Sequence, residues 1–158
     1  MATNIKHQRE KHNLNLNANG MRFALIVSEW NSHITNNLFT GAKESLVSNN
    51  VNPEDIIRYN VPGSFELVYG AKIASQNNYN AIICLGSVIK GETKHFDYIC
   101  NAVSNGIMNL NIKLNTPIIF GVLTDENEQQ SLDRSGGKYG NKGSEAAITA
   151  IKMAILNS

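Results

Sequence analysis

The stretch AIICLGSVIKGETKHFDY, Ala81 to Tyr98, decides the fold. It opens on an unbroken apolar run, Ala81 to Ser87, crosses a polar loop around Gly91, and takes up helical spacing from Phe96. An apolar run of strand length without polar alternation belongs to a strand covered on both faces, as in parallel sheets. Parallel strands need crossovers, and the segment after the loop can supply one. A strand that hands a polar loop to a helix N-terminus is also where α/β proteins bind anions and place acid–base groups. His95 sits at that start, with Lys94 before it and Thr93 two residues back, and is the leading candidate for proton transfer.

The same rhythm extends both ways. Arg22 to Ser28 predicts a buried strand, and Asn36 to Ser48 an amphipathic helix. Ile56 to Val61 predicts a second strand, followed by a helix over Phe65 to Ser75 with Leu67, Ala71 and Ala74 on one stripe. After the central strand comes a helix over Phe96 to Leu110, then a strand over Pro117 to Thr124 and a short helix near Asn127 to Arg134. A glycine-rich loop leads into a last helix, Lys142 to Leu156. The alternation predicts a three-layer α/β/α sandwich around a four-stranded parallel sheet, joined by right-handed crossovers. Residues 1–20 differ, being polar and asparagine-rich, and read as an arm ahead of a single domain over 21–158. Within the arm LNLNA, Leu14 to Ala18, alternates, so a short edge strand exchanged with a neighbouring subunit is one possible use of it.

At 158 residues the chain suits one domain with a full core. A formal net charge of +1, with no basic stripe interleaved with aromatics, argues against nucleic acid as a partner. The longest apolar runs are too short to span a membrane and no signal-like apolar segment follows the N-terminus, which predicts a cytoplasmic protein. Cys84 and Cys100 lack CxxC spacing, and no His/Cys cluster has metal-ligand spacing, so both read as buried thiols of a reducing compartment.

In an open parallel sheet, ligands bind beyond the carboxyl ends of the strands. The unusual residues fall there: Glu29-Trp30-Asn31, Pro62 to Glu66, Ser87 to His95, and Thr124-Asp125-Glu126. Trp30 fits either a core or lid aromatic or a stacking platform for a flat heterocycle. VPGSFE fits either an ordinary strand-to-helix turn or a set of unpaired N–H groups at Ser64, Phe65 and Glu66 facing a ligand. In GETKHF, Thr93 suits an N-cap whose helix end receives a phosphate, and Lys94 with the positive helix end favours neutral His95, able to accept and return protons. In RSGGKYGNKG, Gly136 suits the position just past a helix, while Lys142 at a helix N-terminus suggests a bound anion that Arg134 would grip as a fork. The GxxxxGK[ST], GxGxxG and GxSxG patterns are absent from these loops, which disfavours P-loop, dinucleotide and hydrolase sites.

Taken together, VSEWNSHIT, VPGSFEL, LGSVIKGETKHFDYI, PIIFGVLT and DRSGGKYGNKGSEAA resemble the 6,7-dimethyl-8-ribityllumazine synthases over nearly all of Phe23 to Leu156. The resemblance implies a flavodoxin-like fold and the penultimate step of riboflavin synthesis. That step condenses 5-amino-6-(D-ribitylamino)uracil with 3,4-dihydroxy-2-butanone 4-phosphate, with no metal or organic cofactor. It assigns Trp30, where the family usually has phenylalanine, to stacking on the pyrimidine beside Asn31, with Phe120 closing from a neighbouring subunit. Ser64, Phe65 and Glu66 fall to the ribityl chain and ring, and Ser87, Val88 and Ile89 to the pyrimidine edge. Glu92 and Thr93 fall to the phosphate-side loop, His95 to proton transfer, and Arg134 and Lys142 to the substrate phosphate across a subunit boundary. It further implies pentamers, stacked or closed into sixty-subunit shells, and an association with riboflavin synthase. A flavodoxin-like module that holds a flavin without turnover, and a shell-forming relative that has lost catalysis, are the competing readings. The first would need Ser/Thr/Gly spacing that EWNSHIT fits poorly, and the second the loss of His95, Arg134 or Lys142, all of which are present.

Overall fold

The computed structural model describes residues 16–158. In chain order these form β1 (Phe23–Ser28), α1 (Ser32–Ser48), a 3-10 turn (Pro53–Asp55), β2 (Ile56–Val61), α2 (Leu67–Ala74), β3 (Ala81–Ile89) and α3 (His95–Lys113). β4 (Ile118–Asp125), α4 (Glu128–Arg134), a small hairpin of β5 (Ser135–Gly137) and β6 (Gly140–Asn141), and α5 (Lys142–Leu156) complete the chain. The main sheet has four parallel strands in the order β2-β1-β3-β4. Two helical layers cover it, as the α/β/α reading predicts. Among the described residues no helix is long and apolar enough to cross a membrane.

Alternation along each strand divides the core. Phe23, Leu25, Val27, Ala81, Ile83, Leu85, Ile119 and Leu123 point to one face, packed with Ile34 and Leu38 of α1 and Ala147 and Ile151 of α5. Ala24, Ile26, Ile82, Cys84, Ile118 and Val122 point to the other, packed with Leu67 and Ala71 of α2 and Val103 and Ile107 of α3. Both sides of β1 and β3 are therefore apolar, which is why their sequences read as continuous runs. At about 25 cal/mol per Å², each fully buried Leu, Ile or Phe contributes about 1.5–3 kcal/mol, and the two layers hold the sheet between them.

β2 and α5 have the limits the sequence predicts, while other ends move. α1 begins at Ser32 rather than Asn36, because Asn31 takes a left-handed conformation (φ 56°) and its carbonyl accepts from the N–H groups of Ile34 and Thr35. α2 begins at Leu67, so Ser64, Phe65 and Glu66 form a turn ahead of the helix instead of its first residues. α3 runs from His95 to Lys113, and the glycine-rich loop contains the β5–β6 hairpin, with φ 119° at Gly136 and 80° at Gly140. Packed structure also reaches back into the region expected to be an arm: Ala18 is fully buried, and its N–H donates to the Asn49 carbonyl at 2.9 Å. Leu16 to Ala18 form no strand, and Leu14 and Asn15 of the expected edge strand lie outside the described residues.

Candidate active site

The chain leaves β1 for β2 on one side and returns to β3 on the other, so strand order reverses between β1 and β3. Open α/β sheets bind ligands at that switch point. A cleft of about 710 Å³ opens there, lined by Trp30 and Asn31 after β1, Pro62 to Glu66 after β2, Ser87 to Ile89 of β3, and His95 and Ile99 of α3.

Local chemistry fixes each wall. Glu29 N–H donates to the Val61 carbonyl (2.8 Å) and Trp30 N–H to the Pro62 carbonyl (3.1 Å), carrying the β1–β2 ladder past the strand ends. Asn31 tolerates its left-handed backbone, as asparagine does better than most residues, and its Nδ2 donates to the Ser87 carbonyl at 3.0 Å. That bond ties the end of β1 to the end of β3 across the cleft floor. Gly86 admits the Ser64 turn: a Cβ there would stand 2.7 Å from Ser64 Oγ and 2.8 Å from Leu67 Cδ1. The Trp30 and Phe65 side chains are 71% and 56% exposed, so Trp30 is not a core residue. Two large aromatic faces on a backbone this constrained form walls suited to a flat ring.

His95 is the first residue of α3, exposed at the rim. Thr93 was expected as the N-cap, but that position falls to Lys94, which makes no side-chain cap bond; Thr93 Oγ1 instead accepts from the His95 N–H at 3.3 Å. Glu92 and Thr93 are exposed in the loop ahead of the helix and do not line the cleft. Sequence reasoning missed Ile99 as a lining residue, whereas Pro62 and Gly63 line the cleft from the strand-end loop where the sequence places them. Ile99 could have been found, since residues four apart on a helix share a face and Ile99 follows His95 by one turn. The titratable side chains of the lining are Glu66 and His95, and it contains no Lys or Arg.

Phe120, Arg134 and Lys142 also lie away from this chain's cleft. Phe120 is on the outer strand β4 and 42% exposed. Arg134 Nη1 donates to the Gln130 carbonyl (3.0 Å), Nε lies 3.7 Å from Asp125 Oδ1, and the guanidinium stacks 5.1 Å over the Tyr139 ring. The anion expected at the start of α5 is not needed for local balance. Asn141 Oδ1 accepts from the N–H groups of Gly143 (2.8 Å) and Ser144 (3.3 Å), and Glu145 holds Lys142 Nζ at 2.8 Å. Among the described residues there is no His/Cys/Asp/Glu group arranged to hold a metal ion. Burial alone pushes the Cys84 thiol up to about 12, leaving it a core residue, and burial and Asp97 raise the Cys100 thiol.

Fold and cleft together define a flavodoxin-like α/β protein with an aromatic-walled cleft at the switch point of its sheet. The family profile of 6,7-dimethyl-8-ribityllumazine synthase matches residues 20–158. The protein of that name from Flavobacterium johnsoniae is 55% identical over 99% of this chain and 83% of its own length. Those of Christiangramia forsetii (56% over 89% of this chain and 84% of its own) and Cytophaga hutchinsonii (57% over 83% of each) are similar to the same degree. The chain belongs to the 6,7-dimethyl-8-ribityllumazine synthase family, transferases of riboflavin biosynthesis.

Proposed function

We propose that the cleft binds 5-amino-6-(D-ribitylamino)uracil between Trp30 and Phe65 and condenses it with 3,4-dihydroxy-2-butanone 4-phosphate. The products are 6,7-dimethyl-8-ribityllumazine, phosphate and water. The observation that carries this reading is the make-up of the lining: two exposed aromatic faces, the polar end of β3, and one histidine at the rim. The pyrimidine edge meets Ser87, Val88 and Ile89, and the ribityl hydroxyls meet the Ser64–Glu66 turn. The ring amine attacks the butanone carbonyl to form an imine with loss of water. A proton is then lost from the adjacent carbon as phosphate leaves with its bonding electrons, and the resulting enol becomes a ketone. The second nitrogen closes the ring on that carbon with loss of a second water. His95 relays protons between these steps. No covalent bond to the protein is required, so much of the acceleration comes from holding two reactive substrates together.

A lining without Lys or Arg is poorly matched to a phosphate ester. The reading therefore includes a homo-oligomer in which Phe120, Arg134 and Lys142 of one subunit complete the cleft of the next. The Glu92–Thr93 loop supplies the near side of the phosphate seat. Pentamers, alone or closed into a sixty-subunit shell, fit this arrangement, as does a cytoplasmic location shared with riboflavin synthase. Residues 21–158 act as the enzyme domain, with Leu16 and Ala18 packed onto it, and the part of the arm ahead of them serves assembly.

The test mixes the two substrates with the protein and follows lumazine fluorescence and phosphate release, alongside mass measurement in solution. Turnover by an oligomer is expected; tight flavin binding without turnover refutes the assignment. His95→Ala should lower kcat by about tenfold, less than the about 10²–10⁴-fold typical of a general acid–base group, because holding the two substrates together carries much of the rate. Arg134→Ala should cost about 10²-fold or more in kcat/KM, as for loss of a preorganised charge at a leaving anion. An inactive His95→Ala beside an unimpaired Arg134→Ala would reverse the roles.

A further inference from the structure

The end of β4 carries a buried polar chain that runs to the Ser87 side of the cleft. Asp125 closes that strand, opposite Ile89 of β3, with its side chain only 8% exposed. Its Oδ2 accepts from Ser131 Oγ at 2.7 Å, and its Oδ1 faces Arg134 Nε at 3.7 Å. Ser131 is fully buried, and its Oγ lies 3.3 Å from Ser87 Oγ. A serine hydroxyl has one proton. Since Ser131 gives its own to Asp125, Ser87 must be the donor in the Ser87–Ser131 bond. The Ser87 carbonyl in turn accepts from Asn31 Nδ2 at 3.0 Å. The donor order is therefore fixed from the Ser87 hydroxyl onward, Ser87 to Ser131, Ser131 to Asp125, and Asp125 facing Arg134, while Asn31 joins only through the Ser87 backbone.

We infer that Asp125 and Ser131 are positioning residues for the reaction, presetting Arg134 for phosphate and locking its carboxylate partner to the Ser87 strand end of the cleft. The inference rests on the proposed function. If Arg134 serves the next subunit's cleft, the relay joins two active sites, because its Ser87 end lines this chain's own. Asp125 is suited to the task because its carboxylate is almost wholly shielded from water and both oxygens are engaged. Arg134 is half-buried, tied to the Gln130 carbonyl and stacked on Tyr139, so its remaining freedom is settled by Asp125.

The sign of one substitution separates positioning from simple charge. Asp125→Asn keeps the shape and an oxygen for Ser131 while removing the negative charge beside Arg134. If Asp125 only contributed charge, its loss would tighten binding of an anion. If it positions the guanidinium, binding weakens. Titration calorimetry of inorganic phosphate into the full-length oligomer is expected to give a Kd about tenfold weaker for Asp125→Asn than for the wild type. Asp125→Glu, which keeps the charge, should fall between the two. Steady-state kinetics should show the same split, with KM rising for the butanone phosphate and not for the pyrimidine. Ser131→Ala removes one hydroxyl and tests the relay even if Asp125→Asn does not fold. It should weaken phosphate several-fold and, through Ser87, also raise the KM for the pyrimidine. Unchanged or tighter phosphate binding in Asp125→Asn, equal KM rises for both substrates in that variant, or unchanged phosphate binding in Ser131→Ala would overturn the inference. Phosphate binding that weakens as expected in a protein that does not turn the substrates over would leave the relay standing and remove the function.

Discussion

Gly86→Ala tests the tie between core and cleft. One methyl group added at this position points from β3 at the Ser64 turn, where it would lie 2.7 Å from Ser64 Oγ and 2.8 Å from Leu67 Cδ1. Neither neighbour can move into solvent, since Ser64 is 7% exposed and Leu67 is fully buried. Relief comes from repacking these two side chains within the core or from an outward shift of the turn, which carries Phe65 and Glu66 with it. Overpacking of this kind costs about 1–3 kcal/mol. At about 2–4 °C per kcal/mol for a chain of this size, the melting temperature should fall by about 2–12 °C. A displaced wall also misplaces substrate, and a shift approaching 1 Å can cost about 10²-fold in rate. The assay is thermal unfolding at fixed protein concentration, with steady-state kinetics on the same preparation. Gly91→Ala is the control, because a Cβ there has nothing within 4 Å, and it should match the wild type in melting. A Gly86→Ala protein with unchanged melting and unchanged KM would refute the claim that close approach at β3 seats the Ser64 turn.

Other outcomes follow from the same contacts. Trp30→Ala should raise the KM for the pyrimidine by about two- to tenfold, from loss of about 0.5–1.5 kcal/mol of stacking, with little change in melting because the ring is exposed; Trp30→Phe should restore binding in the same kinetic assay. Asn141→Ala removes the cap of α5 and the Nδ2 donation to the Asn37 carbonyl (2.8 Å), a loss of about 2 kcal/mol, readable as a drop of about 4–8 °C in melting. Asn141→Asp, which keeps only the cap, should lose about half as much. Tyr79 is pushed from its ordinary 10.0 up to about 12 by burial and by the Tyr59 hydroxyl, 2.9 Å away. A raised pKa means the folded form retains a proton the unfolded chain gives up, so this stabilisation is complete below pH 10 and lost as pH rises toward 12. Melting followed across that window should fall less steeply in Tyr79→Phe.

What the sequence disclosed, and what it hid, follows from the range of the forces involved. β1 and β3 were legible because burial on both faces leaves no polar position in the run, and α5 because Asn141 caps it sharply. The start of α1 was hidden because Ser32 and His33 are exposed and an asparagine in left-handed geometry opens the helix. The β5–β6 hairpin was hidden because its strands are three and two residues long, too short to carry a period. Trp30, Asn31, Ser64, Phe65, Glu66, Ser87, Val88, Ile89 and His95 do share one cleft, as their strand-end positions implied. The distances of Arg134, Lys142 and Phe120 from it depend on strand order and helix packing, which no local pattern encodes.

The two displaced cations are held in different ways, and the difference bears on what they can do. Lys142 pairs with Glu145 on the surface of α5, three residues on, where the partner carboxylate is 54% exposed. Such pairs are worth about 0–1 kcal/mol, so an arriving phosphate dianion can draw Lys142 away at little cost. Arg134 faces a carboxylate that is 8% exposed and already bound to Ser131. Pulling the guanidinium fully away would leave a shielded charge without its partner, which costs several kcal/mol. Lys142 is thus free to follow the anion, whereas Arg134 has to bind it while staying beside Asp125. A fork with several N–H donors can do both, turning Nε toward Asp125 and its remaining donors outward. Lysine at position 134 could not, which makes Arg134→Lys nearly as harmful as Arg134→Ala and Lys142→Arg well tolerated. Phosphate-ester KM values that rank these two conservative exchanges the other way would contradict the division of roles.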